Sequence, residues 1–248
     1  MPRYFFEASY EGTDFLGWQK QTQEPTIQGS IEKEIGKLCS LKTIPITGCG
    51  RTDTGVHAKT YFFHADFEME IDTTHFIFKL NLMLPKSISI QNIFKVEEDM
   101  HARFSAKLRT YRYFIHQEKD PFKTTSSWWI TQNLDVDKMR KAAKLLKGTL
   151  DFEAFSKKHT DVNNHICSVK EALLFENKNE LVFEISANRF LRNMVRAIVG
   201  TLIEIGTNKM SIDEFQRVID SKSRQQAGAS APSTGLFLWD ISYPELDA

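Results

Sequence analysis

The sequence has little cysteine and no close cysteine pair. Its three cysteines, Cys39, Cys49 and Cys167, lie far apart with no C-x-x-C spacing, which excludes a disulfide framework and the common zinc sites. The seven histidines include no H-x-x-x-H pair. We therefore expect a protein of a reducing compartment that holds no metal.

Long apolar runs, a net charge and nucleotide-binding motifs are missing as well. No apolar run approaches the ~20 residues that a membrane span needs, and the first residues lack the apolar core of a signal peptide. The 32 basic and 32 acidic residues cancel, so overall charge favours neither nucleic acid nor membrane. Neither G-x-x-x-x-G-K-[ST] nor G-x-G-x-x-G occurs, so chemistry is expected to run without a nucleotide cofactor. We expect a soluble cytoplasmic protein.

Hydrophobic and aromatic residues are abundant enough for two cores. They make up 41% and 12% of the 248 residues, a length that suits two domains of about 100 to 150 residues each. Periodicity predicts the order strand, helix, strand, strand, helix, strand in each half. Such halves predict an α+β fold of two ferredoxin-like (split βαβ) units, joined into an extended mixed, mainly antiparallel sheet with helices on one side and a central cleft. The boundary near Phe104 gives domains 1–104 and 105–248.

Caps and apolar periodicity predict where the helices lie. Thr73 and Asp135 are predicted N-caps, and Ser211 with Glu214 forms a capping box. A long helix is predicted over 189–205, in which arginines at spacings of three and four would stack along one side. Because a guanidinium binds phosphate with a planar fork, this side is expected to contact RNA or substrate. The arginines are Arg189, Arg192 and Arg196.

The stretch Gly50-Arg51-Thr52-Asp53-Thr54-Gly55-Val56-His57-Ala58 lies between two predicted strands. An aspartate in such a turn commonly caps backbone amides. Arg51, however, precedes Asp53 by two positions, and such residues share a face of an extended segment. The guanidinium would then keep the carboxylate ionised, which makes Asp53 a candidate nucleophile or general base on a phosphate-bearing substrate.

The triplet Asp53-Thr54-Gly55 also matches the short signature of aspartic proteases. Those enzymes need two such triplets, or a homodimer that supplies one each, with the aspartates close enough to share a proton. The chain has no second D-T-G or D-S-G, and Arg51 would oppose proton sharing. The protease interpretation is therefore disfavoured.

A predicted strand over 105–116 interleaves cations with aromatics. Arg109 and Tyr111 share one face, and Arg112 lies on the other. This pattern suits contact with a nucleic-acid backbone together with stacking on bases, which contributes about 1–3 kcal/mol per base. Tyr113 is expected in the core.

Seven segments, in order along nearly the whole chain, resemble the tRNA pseudouridine synthase A family. They are Tyr10–Gln19, Gly50–Ala58, Asn81–Pro85, His101–Ala106, Tyr111–Tyr113, Asn188–Gly200 and Ala231–Leu236. The resemblance implies isomerisation of uridine to pseudouridine at positions 38, 39 and 40 of tRNA, in the anticodon stem-loop. It also implies a homodimer with a basic, RNA-binding cleft that works without metal or cofactor.

The same resemblance implies roles for four residues. The family's catalytic aspartate falls on Asp53, and the tyrosine that packs on the target base falls on Tyr111. Two family arginines fall on Arg51 and Arg196. A uridine in a stem must first leave the stack, which costs roughly a few kcal/mol that stacking and phosphate contacts can offset. Whether Asp53 attacks the base, attacks the anomeric carbon or abstracts a sugar proton stays open.

Two segments depart from the family pattern. Val162 to Ile166 replaces a Ser/Thr-Pro-x-Arg segment, which puts an arginine contact with RNA in question there. Lys59-Thr60-Tyr61 replaces a small residue and a glutamine, and this change is expected to alter the packing behind the loop of Asp53. The rival function is a non-catalytic RNA-binding protein, which the retention of Asp53 and Tyr111 disfavours.

Overall fold

The structure, a computed structural model, describes residues 1–22, 25–157, 163–244 and 246 and divides the chain into two units. The first unit is Met1–Lys107 with Phe237–Ala248, and the second is Leu108–Leu236. The sequence analysis placed the boundary after residue 104 and assigned the last strand to the second half. The structure assigns that strand to the first unit, because it pairs there with the strand that begins at His57, far away in the sequence.

In the first unit, β1 lies between two antiparallel neighbours, β3 and β4. The short β2 pairs antiparallel with β3, and β10 pairs parallel with β3, with Phe237 opposite His57. The elements are β1 (Arg3–Tyr10), α1 (Ile27–Leu38), β2 (Thr47–Gly48), β3 (His57–Asp66), α2 (Thr73–Met83), β4 (Ile88–Val96) and β10 (Leu236–Ser242).

In the second unit, the sheet runs in the order β5-β9-β8-β7 with antiparallel neighbours, and the short β6 pairs parallel with β5. Its strands are β5 (Leu108–His116), β6 (Trp128–Trp129), β7 (Gly148–Asp151), β8 (Ile166–Asn177) and β9 (Glu180–Ala187). Its helices are α3 (Val136–Lys144), α4 (Met194–Gly206) and α5 (Ile212–Ser221). Among the described residues, no helix of either unit is both long and apolar enough to cross a membrane.

The helix caps follow the sequence closely. The Asp135 carboxylate accepts a hydrogen bond from Lys138 N at 3.1 Å, and both bonds of the capping box at Ser211 are present. The cap of α2 is Asp72 rather than the predicted Thr73, because the Asp72 side chain accepts from His75 N. Caps depend on residues three apart, so local sequence is enough to find them within one position.

The start of α4 differs from the prediction. Asn193 adopts φ 66°, in the left-handed region, and the helix begins only at Met194. A left-handed residue cannot continue a right-handed helix, so the residues before it form an irregular segment, 188–193. The prediction that Arg189 and Arg192 lie on this helix beside Arg196 is therefore wrong.

The segment Val162 to Ile166, where the sequence departs from the family pattern, is described only in part. Val162 lies outside the described residues, and Ile166 begins β8.

A buried histidine connects the first sheet to residue 102, near the end of the continuous part of this unit, Met1–Lys107. His64, on β3, is 6% exposed, and its Nδ1 accepts a hydrogen bond from Ala102 N at 3.1 Å. Burial, together with the charges of Arg3 and His101, lowers the pKa of His64 from 6.5 to about 4. The folded state therefore holds this imidazole neutral, as the acceptor role of Nδ1 requires.

We expect the free energy of unfolding to fall as the pH drops from about 6.5 to about 4. The unfolded chain protonates His64 near pH 6.5, so its contribution to stability is complete above that pH and is lost towards the folded pKa of about 4. Urea unfolding at a series of pH values measures the slope. His64→Gln should flatten it, whereas His75→Gln, which removes an exposed histidine on α2, should not. Equal slopes in wild type and His64→Gln would contradict this account.

Candidate active site

Asp53 lies on a loop of residues 49–56 that joins β2 to β3. Its carbonyl accepts a hydrogen bond from Val56 N at 3.1 Å, and Gly55 adopts φ 73° to complete the turn. The Asp53 side chain is half-buried. The loop thus presents a half-buried carboxylate at the first residue of a tight turn.

A segment of residues 10–19, called here the clamp segment, holds this loop from one side. Trp18 N donates to the Thr52 carbonyl at 3.2 Å, and Gly55 N donates to the Phe15 carbonyl at 3.3 Å. At the end of the loop, Gly12 N donates to His57 Nδ1 at 3.1 Å. Two sequence motifs that lie about 40 residues apart therefore form one structural element around Asp53.

The close approach of the clamp segment depends on Gly17. This residue adopts φ +85°, and a Cβ there would lie 2.5 Å from the Thr52 carbonyl oxygen and 3.1 Å from the Asp53 carbonyl carbon. Backbone atoms cannot move aside as the end of a flexible side chain can. A side chain at position 17 would push the clamp segment off the loop.

Aromatic residues fix the loop from behind. Trp18 stacks on Tyr61 with ring centroids 3.9 Å apart, and the Tyr61 hydroxyl donates to the Gly50 carbonyl at 2.6 Å. The hydroxyl groups of Tyr10 and Thr52 lie 2.8 Å apart and are buried. Burial raises the pKa of Tyr61 well above its ordinary value, so this donor stays neutral.

Tyr61 lies in one of the two segments where the sequence departs from the family pattern. The sequence indicated only a change of packing there. The structure shows that Tyr61 holds the first carbonyl of the Gly50–Ala58 motif.

Arg51 is exposed, and its Nε donates to Gln19 Oε1 at 3.1 Å. The sequence analysis expected Arg51 to lie beside Asp53 on one face of an extended segment. The turn shown by the structure begins at Asp53 itself, and a position of Arg51 beside Asp53 stays a prediction. The hydrogen bond to Gln19 makes Arg51 a further link between the loop and the clamp segment.

In the second unit, Tyr111 lies on β5, and its ring contacts Phe190 edge-on with centroids 4.9 Å apart. Arg109 Nη1, on the same strand face, donates to the Asn188 carbonyl at 2.9 Å. Arg189 Nη1 donates to Asn164 Oδ1 at 3.5 Å. The irregular segment 188–193 therefore packs against the strand at Tyr111, a contact that the sequence pattern did not predict.

Arg112 is engaged within the sheet. Its Nε lies 2.6 Å from Glu184 Oε2, directly across on β9, and its Cζ lies 5.8 Å from the centre of the Phe175 ring. Opposite charges on directly paired strand positions stabilise a sheet. Contact of Arg112 with RNA stays a prediction, and it competes with this ion pair.

Arg196 lies on α4 and is joined twice to Ala231. Its Nε donates to the Ala231 carbonyl at 2.7 Å, and Ala231 N donates to the Arg196 carbonyl at 2.9 Å. The adjacent Pro232 carbonyl accepts from the hydroxyl of Tyr113, which is fully buried as predicted. These bonds join α4, β5 and the 231–235 segment around a fixed guanidinium. Arg192, by contrast, is exposed, and its carbonyl accepts from Lys157 N at 3.1 Å.

The candidate residues thus fall into two groups. Asp53 and Arg51 belong to the first unit, and the second unit holds the others: Arg109, Tyr111, Arg112, Arg189, Arg192 and Arg196. Sequence reasoning missed the residues that position them, Gln19, Tyr61, Phe190 and Ala231. Of these, Gln19, Phe190 and Ala231 lie within the segments that resemble the family, and Tyr61 lies in a segment that departs from its pattern.

One group of side chains in the described residues has the composition of a metal site. The ligand atoms of Asp151, Glu153 and His165 lie within 4.8 Å of one another. Lys222 Nζ lies 3.0 Å from Asp151 Oδ2 and supplies a positive charge there. None of these residues is a sequence-predicted site residue.

The chain is similar to proteins of known activity over almost its full length. A family model described as tRNA pseudouridine synthase matches residues 142–244. The tRNA pseudouridine synthase A of Parabacteroides distasonis is 45% identical, covering 99% of this chain and 97% of the relative. That of Bacteroides thetaiotaomicron is 42% identical, covering 99% and 92%. That of Halalkalibacterium halodurans is 38% identical, covering 95% and 90%.

Among solved structures, the crystal structure of a Cbf5-Nop10-Gar1 complex matches with a TM-score of 0.37 and 10% identity. The match covers 80% of this chain and 54% of that chain. A similarity this low carries no information on the fold.

We expect Tyr61→Phe to loosen the loop of Asp53. The variant keeps the stack on Trp18 but removes the donor to the Gly50 carbonyl, a loss of about 1–2 kcal/mol in the free energy of unfolding. Amide hydrogen exchange at Trp18 and Gly55 should become faster.

Tyr4→Phe is the matched control, because the buried Tyr4 hydroxyl accepts from Ile71 N, away from the loop. It should lower stability without changing exchange at Trp18 and Gly55. Unchanged exchange in Tyr61→Phe would show that this hydroxyl does not fix the loop.

Proposed function

The chain belongs to the tRNA pseudouridine synthase A family, whose members are isomerases, and from this premise we propose a specific substrate and catalyst. The proposed substrate is uridine at positions 38, 39 and 40 in the anticodon stem-loop of tRNA, and the proposed catalytic carboxylate is Asp53. The observation that carries the proposal is the fixed position of the Asp53 loop. Hydrogen bonds from the clamp segment reach Thr52, Gly55 and His57, on both sides of Asp53.

A fixed carboxylate suits this reaction because the isomerisation must hold its intermediate in place. The bond from N1 of uracil to the anomeric carbon breaks, the base turns, and the anomeric carbon bonds to C5 instead. C5 loses a proton and N1 gains one, so the atoms balance without a co-reactant, consistent with the expectation that no cofactor is needed. Asp53 can start this sequence at the base, at the anomeric carbon or at a sugar proton, and each route needs a carboxylate held at the reacting atom.

Tyr111 and Arg196 are proposed to bind the uridine once it has left the stack. The edge-on contact with Phe190 restricts the Tyr111 ring, and a restricted ring loses less entropy when a base stacks on it. The bond from Arg196 Nε to the Ala231 carbonyl restricts the guanidinium in the same way. Arg51 is a further proposed substrate-binding residue. Possible RNA contacts are Arg109, Arg112, Arg189 and Arg192.

We propose further that the two units are ferredoxin-like (split βαβ) halves. The antiparallel pairs of the first unit give the order β4-β1-β3-β2, and β10 pairs parallel with the same strand β3. The antiparallel order supports a split βαβ, ferredoxin-like half. The roles proposed for Asp53 of the first unit and Tyr111 of the second require both to act on one uridine. A central RNA-binding cleft would meet that requirement, and a homodimer is proposed from the family.

We expect Asp53→Asn to abolish pseudouridine formation, because the amide can neither attack nor accept a proton. Chemical mapping of pseudouridine in tRNA after incubation with purified protein, without added cofactor, measures this loss. Binding of tRNA should change less than about threefold, since the substitution removes only one charge. Asp213→Asn, in the first turn of α5, is the control and should retain activity. Full activity of Asp53→Asn would refute the assignment.

We expect the modified positions to follow the sequence of the anticodon stem-loop. Replacing uridine with cytidine at 38, 39 or 40 should remove the pseudouridine at that position and leave the others. Pseudouridine elsewhere in the tRNA would retain the reaction class and contradict the proposed positions. Salt-dependent tRNA binding without isomerisation would instead favour the rival RNA-binding function.

A further inference from the structure

A turn of residues 101–105 in the first unit presents a phenylalanine to solvent. Phe104 is 72% exposed, and the neighbouring Arg103 is exposed as well. Leaving a ring of this size in water forgoes about 1.5–3 kcal/mol of burial free energy. An exposed phenylalanine on an ordered turn is therefore unfavourable for the protein alone and indicates a binding partner.

Hydrogen bonds within the turn fix its backbone. His101 N donates to Ser105 Oγ at 3.0 Å, and Ser105 N donates to the His101 carbonyl at 2.9 Å. His101 Nδ1 accepts from both Arg103 N at 3.0 Å and Phe104 N at 3.4 Å. The direction of the Phe104 ring is thus set by a turn that satisfies its own polar groups.

The same turn is bound to the body of the first unit. His64 Nδ1 accepts from Ala102 N, and the Tyr243 hydroxyl donates to the Ala102 carbonyl. Just before the turn, Arg3 Nη1 donates to the Met100 carbonyl at 2.9 Å. A rigid base under an exposed ring is what a stacking platform needs, because little entropy is lost when a ligand binds.

The side chains on this turn favour nucleic acid as the binding partner. The Arg103 Cζ lies over the Phe104 ring, 5.5 Å from its centre, so a cation lies against an exposed aromatic ring. Residues 101–107 contain Arg103 and Lys107 but no acidic residue. A base can stack on the ring while its phosphate contacts the guanidinium. Proteins bind single-stranded and unstacked nucleotides through this combination of aromatic stacking and phosphate contact. The absence of acidic residues from this segment favours an anionic partner over an apolar protein surface.

We propose that this turn is an RNA-binding platform on which Phe104 stacks against a base of the tRNA and Arg103 binds an adjacent phosphate. The proposal rests on the proposed function, since it takes tRNA as the RNA. Phe104 and Arg103 hold the RNA and take no part in the bond changes at the uridine.

The test measures RNA binding separately from isomerisation. Binding of an anticodon stem-loop RNA is measured in the Asp53→Asn background, with and without Phe104→Ala. Losing one base stack of about 1–3 kcal/mol predicts roughly 5- to 150-fold weaker binding. In the active enzyme, Phe104→Ala should raise KM while kcat at saturating RNA changes less than about threefold, and Phe104→Trp should restore KM. Phe122→Ala, which removes a ring that is 93% exposed in the second unit, is the matched control.

The contribution of the Arg103 charge is measured separately, through the salt dependence of RNA binding. Arg103→Ala should lower the slope of log binding constant against log salt by about 0.7–0.9, the value for one phosphate contact. Equal RNA affinity of Phe104→Ala and wild type would overturn the proposal. So would conversion of a dimer to monomers by Phe104→Ala in light scattering, because the ring would then contact a second copy. Binding of RNA through Phe104 without any pseudouridine would refute the proposed function and leave this inference standing.

Discussion

The hydrogen bonds between the clamp segment and the loop of Asp53 are the constraint on which the rest of the candidate site depends. A loop rich in glycine and small polar residues has many conformations, and each ordered residue costs about 1–2 kcal/mol of backbone entropy. No single hydrogen bond, worth about 0.5–1.5 kcal/mol, offsets that cost. The loop is ordered because several bonds and one aromatic stack act together: Gly12 and Trp18 bind it from the clamp segment, and Tyr61 binds it from behind.

The arginines show why a residue type alone does not assign a role. Arg112 and Arg196 were both predicted to contact RNA or substrate. Arg112 is placed opposite Glu184 by the register of the sheet, so its charge is already balanced within the protein. Arg196 donates to a neutral carbonyl, which directs its guanidinium without neutralising its charge. The partner of each guanidinium distinguishes a structural cation from a candidate binding residue.

Rigid supports recur wherever the chain presents a candidate functional group. Asp53 is held by the clamp segment, the Tyr111 ring meets Phe190, and the turn under Phe104 is closed by His101 and bound to His64. Groups held in place before binding lose little entropy when RNA arrives. The supports come from distant parts of the sequence, which is why motif matching finds the presented residues and misses most of those that hold them.

The sequence by itself determined the features that depend on neighbouring residues. The strand at Arg3–Tyr10 and the caps at Asp135 and Ser211 follow from alternation and spacing within a few positions. The tertiary structure alone decided which distant segments meet. It moved the start of α4 to Met194, paired the last strand with β3, and bound Arg51 to Gln19. The physical reason is that local periodicity encodes which face of an element is apolar, whereas the partner that buries it is chosen by packing and by hydrogen bonds formed only when the chain folds.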